Sequence, residues 1–140
     1  MTDFLLGSLV ELTHVKFEAE QSRLQDIVAQ ENRLRGELRR LEDRHRAAQA
    51  EHQSQFNGQR AFGGDVLWQA WVTRTRHDLQ IRLAQVLAQK GRMMRSLQLA
   101  HGRKLAAKEV LASHEQSCRT ARRRRDREAE QSLTILKSRC

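Results

Sequence analysis

Apolar side chains recur three and four residues apart along most of this chain, in two runs separated by one glycine-marked break from Asn57 to Asp65. In the first run Val10, Phe17, Leu24, Ile27, Leu34, Leu38, Leu41 and Ala48 share one stripe, and His45 and His52 continue it. Thr13, Glu20 and Glu31 interrupt it, so the seam departs from a pure leucine zipper. The second run is longer: Val72, Leu79, Leu83, Val86, Met93, Leu97, Ala100, Ala107, Leu111, Cys118 and Ala121 keep one heptad stripe, with Lys90, Lys104 and His114 intervening. Heptads sustained this far predict a coiled coil instead of a short amphipathic helix.

The boundaries follow from local chemistry. Helix formers fill most positions of both runs and the chain has no proline. Gln55-Phe56-Asn57-Gly58 reads as a helix stop, because Asn and Gly accept the left-handed conformation that ends a helix. Gly63-Gly64-Asp65 then offers a flexible step and an N-cap at Asp65. The predicted fold is all-α: a long antiparallel two-helix coiled-coil hairpin with a C-terminal helical overhang. One hairpin is expected over residues 1–140, with helix 1 over about 3–56, the turn over about 57–65 and helix 2 over about 66–138. At 1.5 Å per residue the helices would be roughly 80 and roughly 110 Å long. Gly36, Gly91 and Gly102 each weaken their helix by about 1 kcal/mol relative to Ala.

A turn centred near residue 60 pairs positions whose numbers sum to about 121. Leu38 then lies near Leu83, Glu31 near Lys90, Leu24 near Leu97 and Phe17 near Lys104. The Glu31 and Lys90 pairing joins two otherwise awkward seam positions, and such a pair fixes register more than it adds stability. Residues beyond about 118 have no partner in the first helix. Pairing of two long continuous helices from two chains is the rival arrangement.

Composition narrows the function classes. Charged residues are 31% of the chain and aromatics 4%, which disfavours a compact single core. Disorder is disfavoured in turn by the sustained periodicity and the absence of proline. Residues 1–56 hold 8 Lys and Arg against 10 Asp and Glu, a net of −2, while residues 57–140 hold 18 against 7, a net of +11. That imbalance favours pairing of the two helices with each other over self-pairing. Arg122-Arg123-Arg124-Arg125, followed by Arg127, points around most of a helix circumference, so no packed face can hide it. The segment is a solvated helical end, a binder of an acidic protein surface, or a contact to nucleic acid or anionic membrane.

Catalytic chemistry has no foothold in the sequence. There is no glycine-rich phosphate loop and no Ser, His and Asp set that falls on one site, so the chain reads as a non-enzyme with no cofactor. His114 and Cys118 share a helical face, and the segment opposite, residues 3–7, adds only Asp3. A structural zinc takes about four ligands, so no metal site is expected. Cys118 and Cys140 lie too far apart on one helix to bridge, and reduced thiols fit a cytoplasmic protein. Phe4, Leu5, Leu6, Leu9 and Val10 form an apolar start without a basic leader, which disfavours a signal peptide or membrane span. They are expected to grip the second helix near Val110, Leu111 and His114, or a partner.

Trp68 and Trp71 stand three apart just past the break, where they either cap the hairpin core with Phe56 and Phe62 or anchor a partner. A first helix of about 55 residues, a glycine-containing break, a longer second helix opening on Trp68-x-x-Trp71-Val72-x-x-Thr75, and a basic C-terminal end together resemble FliJ, the stalk family of the flagellar type III export apparatus. The family tends to carry Tyr-x-x-Phe-aliphatic-x-x-Leu there, so Thr75 stands in place of Leu.

The resemblance implies a non-catalytic stalk and adaptor that couples a hexameric export ATPase to the cytoplasmic domain of the membrane export gate. The protein would then be cytoplasmic and peripherally associated with the membrane-embedded apparatus. It implies gate contact at Trp68, Trp71, Val72 and Thr75, and entry of the paired chain ends, with Arg122, Arg123, Arg124, Arg125 and Arg127 on the overhang, into the ATPase ring. The alternative is a basic coiled coil associated with nucleic acid, or a scaffold with other partners. No basic stretch is interleaved with aromatics, which disfavours nucleic acid.

Overall fold

A computed structural model describes residues 2–54 and 62–137. Two helices account for all of them: α1 over Thr2–Ser54 and α2 over Phe62–Lys137, with no strand among the described residues. They form an antiparallel two-helix hairpin. The predicted stop at Gln55-Phe56-Asn57-Gly58 and the first part of the predicted 57–65 turn, 57–61, lie outside the described residues. The predicted N-cap at Asp65 is corrected, because α2 starts at Phe62 and carries Gly63, Gly64 and Asp65 within its first turns. Helix propensity argues against Gly63 and Gly64 there, and that cost of about 1 kcal/mol each is small against the packing of a helix this long.

The chain divides into two compact units, a central one over Gln21–Ser96 and a terminal one made of Met1–Glu20 with Leu97–Cys140. In the central unit the buried core is Leu41, Val72 and Leu79, with Leu34, Leu38 and Trp68 packed against it. Every heptad position of α1 from Leu24 to Ala48 is buried or half-buried, and Glu31 is among the buried ones. The matching stripe of α2 runs through Val72, Leu79, Leu83, Val86 and Lys90, and Arg76 fills a step that the apolar pattern skips.

The terminal unit repeats the arrangement with smaller side chains, its buried residues being Ala100 and Ala107. Phe17 lies against His101, ring centroids 5.4 Å apart, with the Lys104 ammonium 4.5 Å from the Phe17 ring centre. That contact turns a seam lysine into a partner of the aromatic face, worth roughly 0.5 to 1 kcal/mol at an exposed site. One expectation is corrected here. Phe4, Leu5 and Leu9 do not grip α2: Phe4 is 78% exposed, and only Leu6 and Val10 of that segment turn inward with the seam. Cover of the stripe ends close to where the counted overhang is expected to begin: His114 is the last half-buried described position of α2, and Cys118 and Ala121 are exposed. Asp3, in the first turn of α1, pairs with His114 at this last covered position.

Leu41→Ala is expected to cost roughly 2 to 4 kcal/mol in denaturant unfolding followed by circular dichroism, because Leu41 is only 1% exposed. Leu99→Ala, at an exposed position, should change stability by less than about 0.5 kcal/mol. A Cβ built at Gly91 or Gly102 meets nothing within 4 Å. Gly91→Ala and Gly102→Ala should each raise stability by about 0.5 to 1 kcal/mol in the same measurement.

Candidate functional site

Three places carry side chains that packing alone does not absorb. The first is the aromatic pair early in α2, in the central unit. Trp68 and Trp71 stack with centroids 5.0 Å apart and planes inclined by 25°, as the three-residue spacing allows. Their roles differ. Trp68 is half-buried against the Leu41, Val72 and Leu79 core, and its buried indole Nε1 has no acceptor among the described residues, whereas Trp71 is 45% exposed.

Of the four residues expected to meet a partner, Val72 is buried in the seam at 2% exposure, where its place on the heptad stripe puts it, and Thr75 is half-buried. Trp71 and Thr75 edge a shallow groove of about 380 Å³ whose rim carries Glu37, Arg40, Arg44 and Arg82. One turn before Trp71, Leu67 is exposed on the same side of α2. The available apolar strip is therefore Leu67 and Trp71, beside arginines from both helices. Heptad counting misses Leu67 and the rim arginines because it ranks the seam and says little about the positions beside it.

The second place is the arginine run of the terminal unit. Arg122, Arg123, Arg124, Arg125 and Arg127 are all exposed, as are all described residues after His114. Arg124 pairs with Glu128 at 2.9 Å and Arg127 Nε donates to the Arg123 carbonyl at 3.3 Å. These are one-turn surface pairs, worth a few tenths of a kcal/mol, and they leave the positive field largely intact. Leu133, Ile135 and Leu136 are exposed beyond it, an apolar group that succeeds the run.

The third place is where cover by α1 ends. His114 Nε2 lies 2.8 Å from Asp3 Oδ1 and 3.6 Å from Cys118 Sγ, so the three donors expected to share a region do meet. Sequence reasoning discounts them for their number and not for their placement.

Electrostatics in the seam centre on Glu31. Its Oε2 accepts from Lys90 Nζ at 2.7 Å and its Oε1 accepts from Arg35 Nε at 2.9 Å. Those hydrogen bonds, Lys90 first and Arg35 second, hold the carboxyl below its ordinary 4.5 against the opposing effect of burial. The chain matches no known family profile, no curated protein and no solved structure. Among the described residues, no helix is long and apolar enough to cross a membrane.

A carboxyl whose folded pKa is lowered adds stability that is fully present above its unfolded value, near 4.5, and is lost as the pH falls through the folded value. Between about pH 6 and about pH 3 the thermal midpoint should therefore fall, and fall less in Glu31→Gln than in the parent. Parallel melts of the two chains across that range check it.

Proposed function

We propose that this chain is a non-catalytic stalk and adaptor of a flagellar-type protein export apparatus, coupling a hexameric export ATPase to the cytoplasmic domain of the membrane export gate. The single observation that carries the reading is the uncovered α2 extension after His114, which presents six arginines to solvent, Arg119 and the five of the 122–127 run, and has no packing partner in α1. A helical end that serves only the hairpin has no need to continue more than twenty residues past its cover. An acidic collar on an ATPase ring would be matched by this charge, and Leu133 and Leu136 would add apolar area beyond it.

The gate contact falls on Trp71 and Thr75 with Leu67, and Val72 serves it only by holding the helix in place. Exposed Trp beside arginines is the composition of an interface anchor. Trp68, half-buried beneath Trp71, stiffens it. The shallow open groove suits a surface contact better than enclosure of a small substrate.

Nucleic acid is the competing partner for the arginines. Binding of that kind would weaken steeply with salt, log affinity falling by about 0.9 per neutralised phosphate per unit of log salt. The arginines are not interleaved with exposed aromatic rings that could stack on bases, which favours a protein partner.

Removal of residues 120–140 should abolish capture of the purified export ATPase while the remaining helices keep their ellipticity. Full retention of capture would sink the assignment of the extension. Trp71→Ala should weaken binding to the isolated cytoplasmic domain of the gate by about tenfold or more, with helicity unchanged. Unaltered affinity would remove Trp71 from the contact.

A further inference from the structure

We infer that Asp3, His114 and Cys118 form a binding site for a zinc-class divalent cation, held by one carboxylate oxygen, one imidazole nitrogen and one thiolate sulfur. One ligand atom from each residue lies within 4.8 Å of the other two. Two of the separations are the contacts already described, 2.8 Å from His114 Nε2 to Asp3 Oδ1 and 3.6 Å from His114 Nε2 to Cys118 Sγ. Tetrahedral ligands at ordinary zinc bond lengths stand about 3.3 to 3.8 Å from one another, so small side-chain adjustments suffice.

The placement comes from two independent features of the fold. His114 and Cys118 are one helical turn apart on α2, which sets imidazole and sulfur on one face. Asp3 comes from the first turn of α1 through the antiparallel register. The donor set selects the ion. Magnesium and calcium take oxygen ligands, while a mixed oxygen, nitrogen and sulfur set suits a borderline ion such as Zn²⁺ or Co²⁺.

Three protein ligands leave one position open, as in zinc sites that keep a water. Asp3 and Cys118 line a shallow groove of about 530 Å³ with Gly7, Leu111, Glu115 and Arg119, while His114 lines a neighbouring one with Glu109, Val110 and Ser117. Gly7 contributes no side chain to the first, and a Cβ there would meet nothing within 4 Å. Glu115 and Arg119, the other charged groups facing that first groove, pair with each other at 3.3 Å. A water completes the sphere without displacing either. On coordination the thiol proton passes to solvent, and the imidazole binds through Nε2 with its proton on Nδ1. The bound ion would tie the first turn of α1 to α2 at the last covered position, before the arginine-bearing extension begins.

The test uses the full chain carrying Cys140→Ser, so that Cys118 is the one thiol, reduced, freed of metal and titrated with Co²⁺. Binding should saturate at one ion per chain with a near-ultraviolet thiolate-to-cobalt band, Zn²⁺ should displace it, and Zn²⁺ should raise the thermal midpoint. Cys118→Ser should erase the band and weaken binding by roughly tenfold or more, and Asp3→Asn and His114→Gln should each weaken it. Cys118 is exposed, so its serine variant should keep the parent ellipticity. Failure of Co²⁺ to give the band, or affinity and zinc stabilisation unchanged in Cys118→Ser, would overturn the site.

Discussion

Glu31 lies on the buried face of α1 with one carboxylate oxygen on Lys90 of the opposite helix and the other on Arg35 of its own. An unpaired charge in that position would be expensive, so the apolar stripes on either side of it are acceptable only in the register that brings Lys90 across. Ion pairs of this kind contribute little net stability against an apolar substitute of similar size. Their effect is to penalise the slipped alternatives, and a two-helix seam with Leu, Val and Ala at most positions has many such alternatives.

The same rule accounts for two further polar residues of the seam. Lys104 spends its charge on the face of Phe17, and His114 meets Asp3. Each sits where an aliphatic residue would continue the heptad, and each has a partner on α1. With only one helix available to cover another, little enclosed volume forms, and the grooves that exist are shallow and open. Leu67, Trp71 and the residues after His114 are where apolar area and charge are left for a partner.

Much of this is legible in the spacing of residues. The apolar stripes come from heptad spacing, and the pairing of Glu31 with Lys90 and of Phe17 with Lys104 comes from counting outward from the glycine-marked segment. Counting fails where periodicity and cover part company. Cys118 and Ala121 keep the heptad but are exposed. Phe4 and Leu5 are apolar yet fall on the wrong side of the helix, and Val72 belongs to the core although the motif that contains it suggests a surface. The ion site is half legible: spacing places its three residues together, but three ligands fall short of a structural zinc sphere, and only the distances between them argue for an open one.

The direct measurement of whether one ion pair holds the register is a double-mutant cycle on thermal midpoints at neutral pH, using Glu31→Gln, Lys90→Gln and the pair combined. Because the cycle isolates the coupling between the two side chains from the effect of Arg35, it addresses Lys90 alone. The combined variant should lose clearly less than the sum of the two single losses. Losses that simply add would mean that Glu31 and Lys90 do not interact, and that the register rests on the apolar stripes without them.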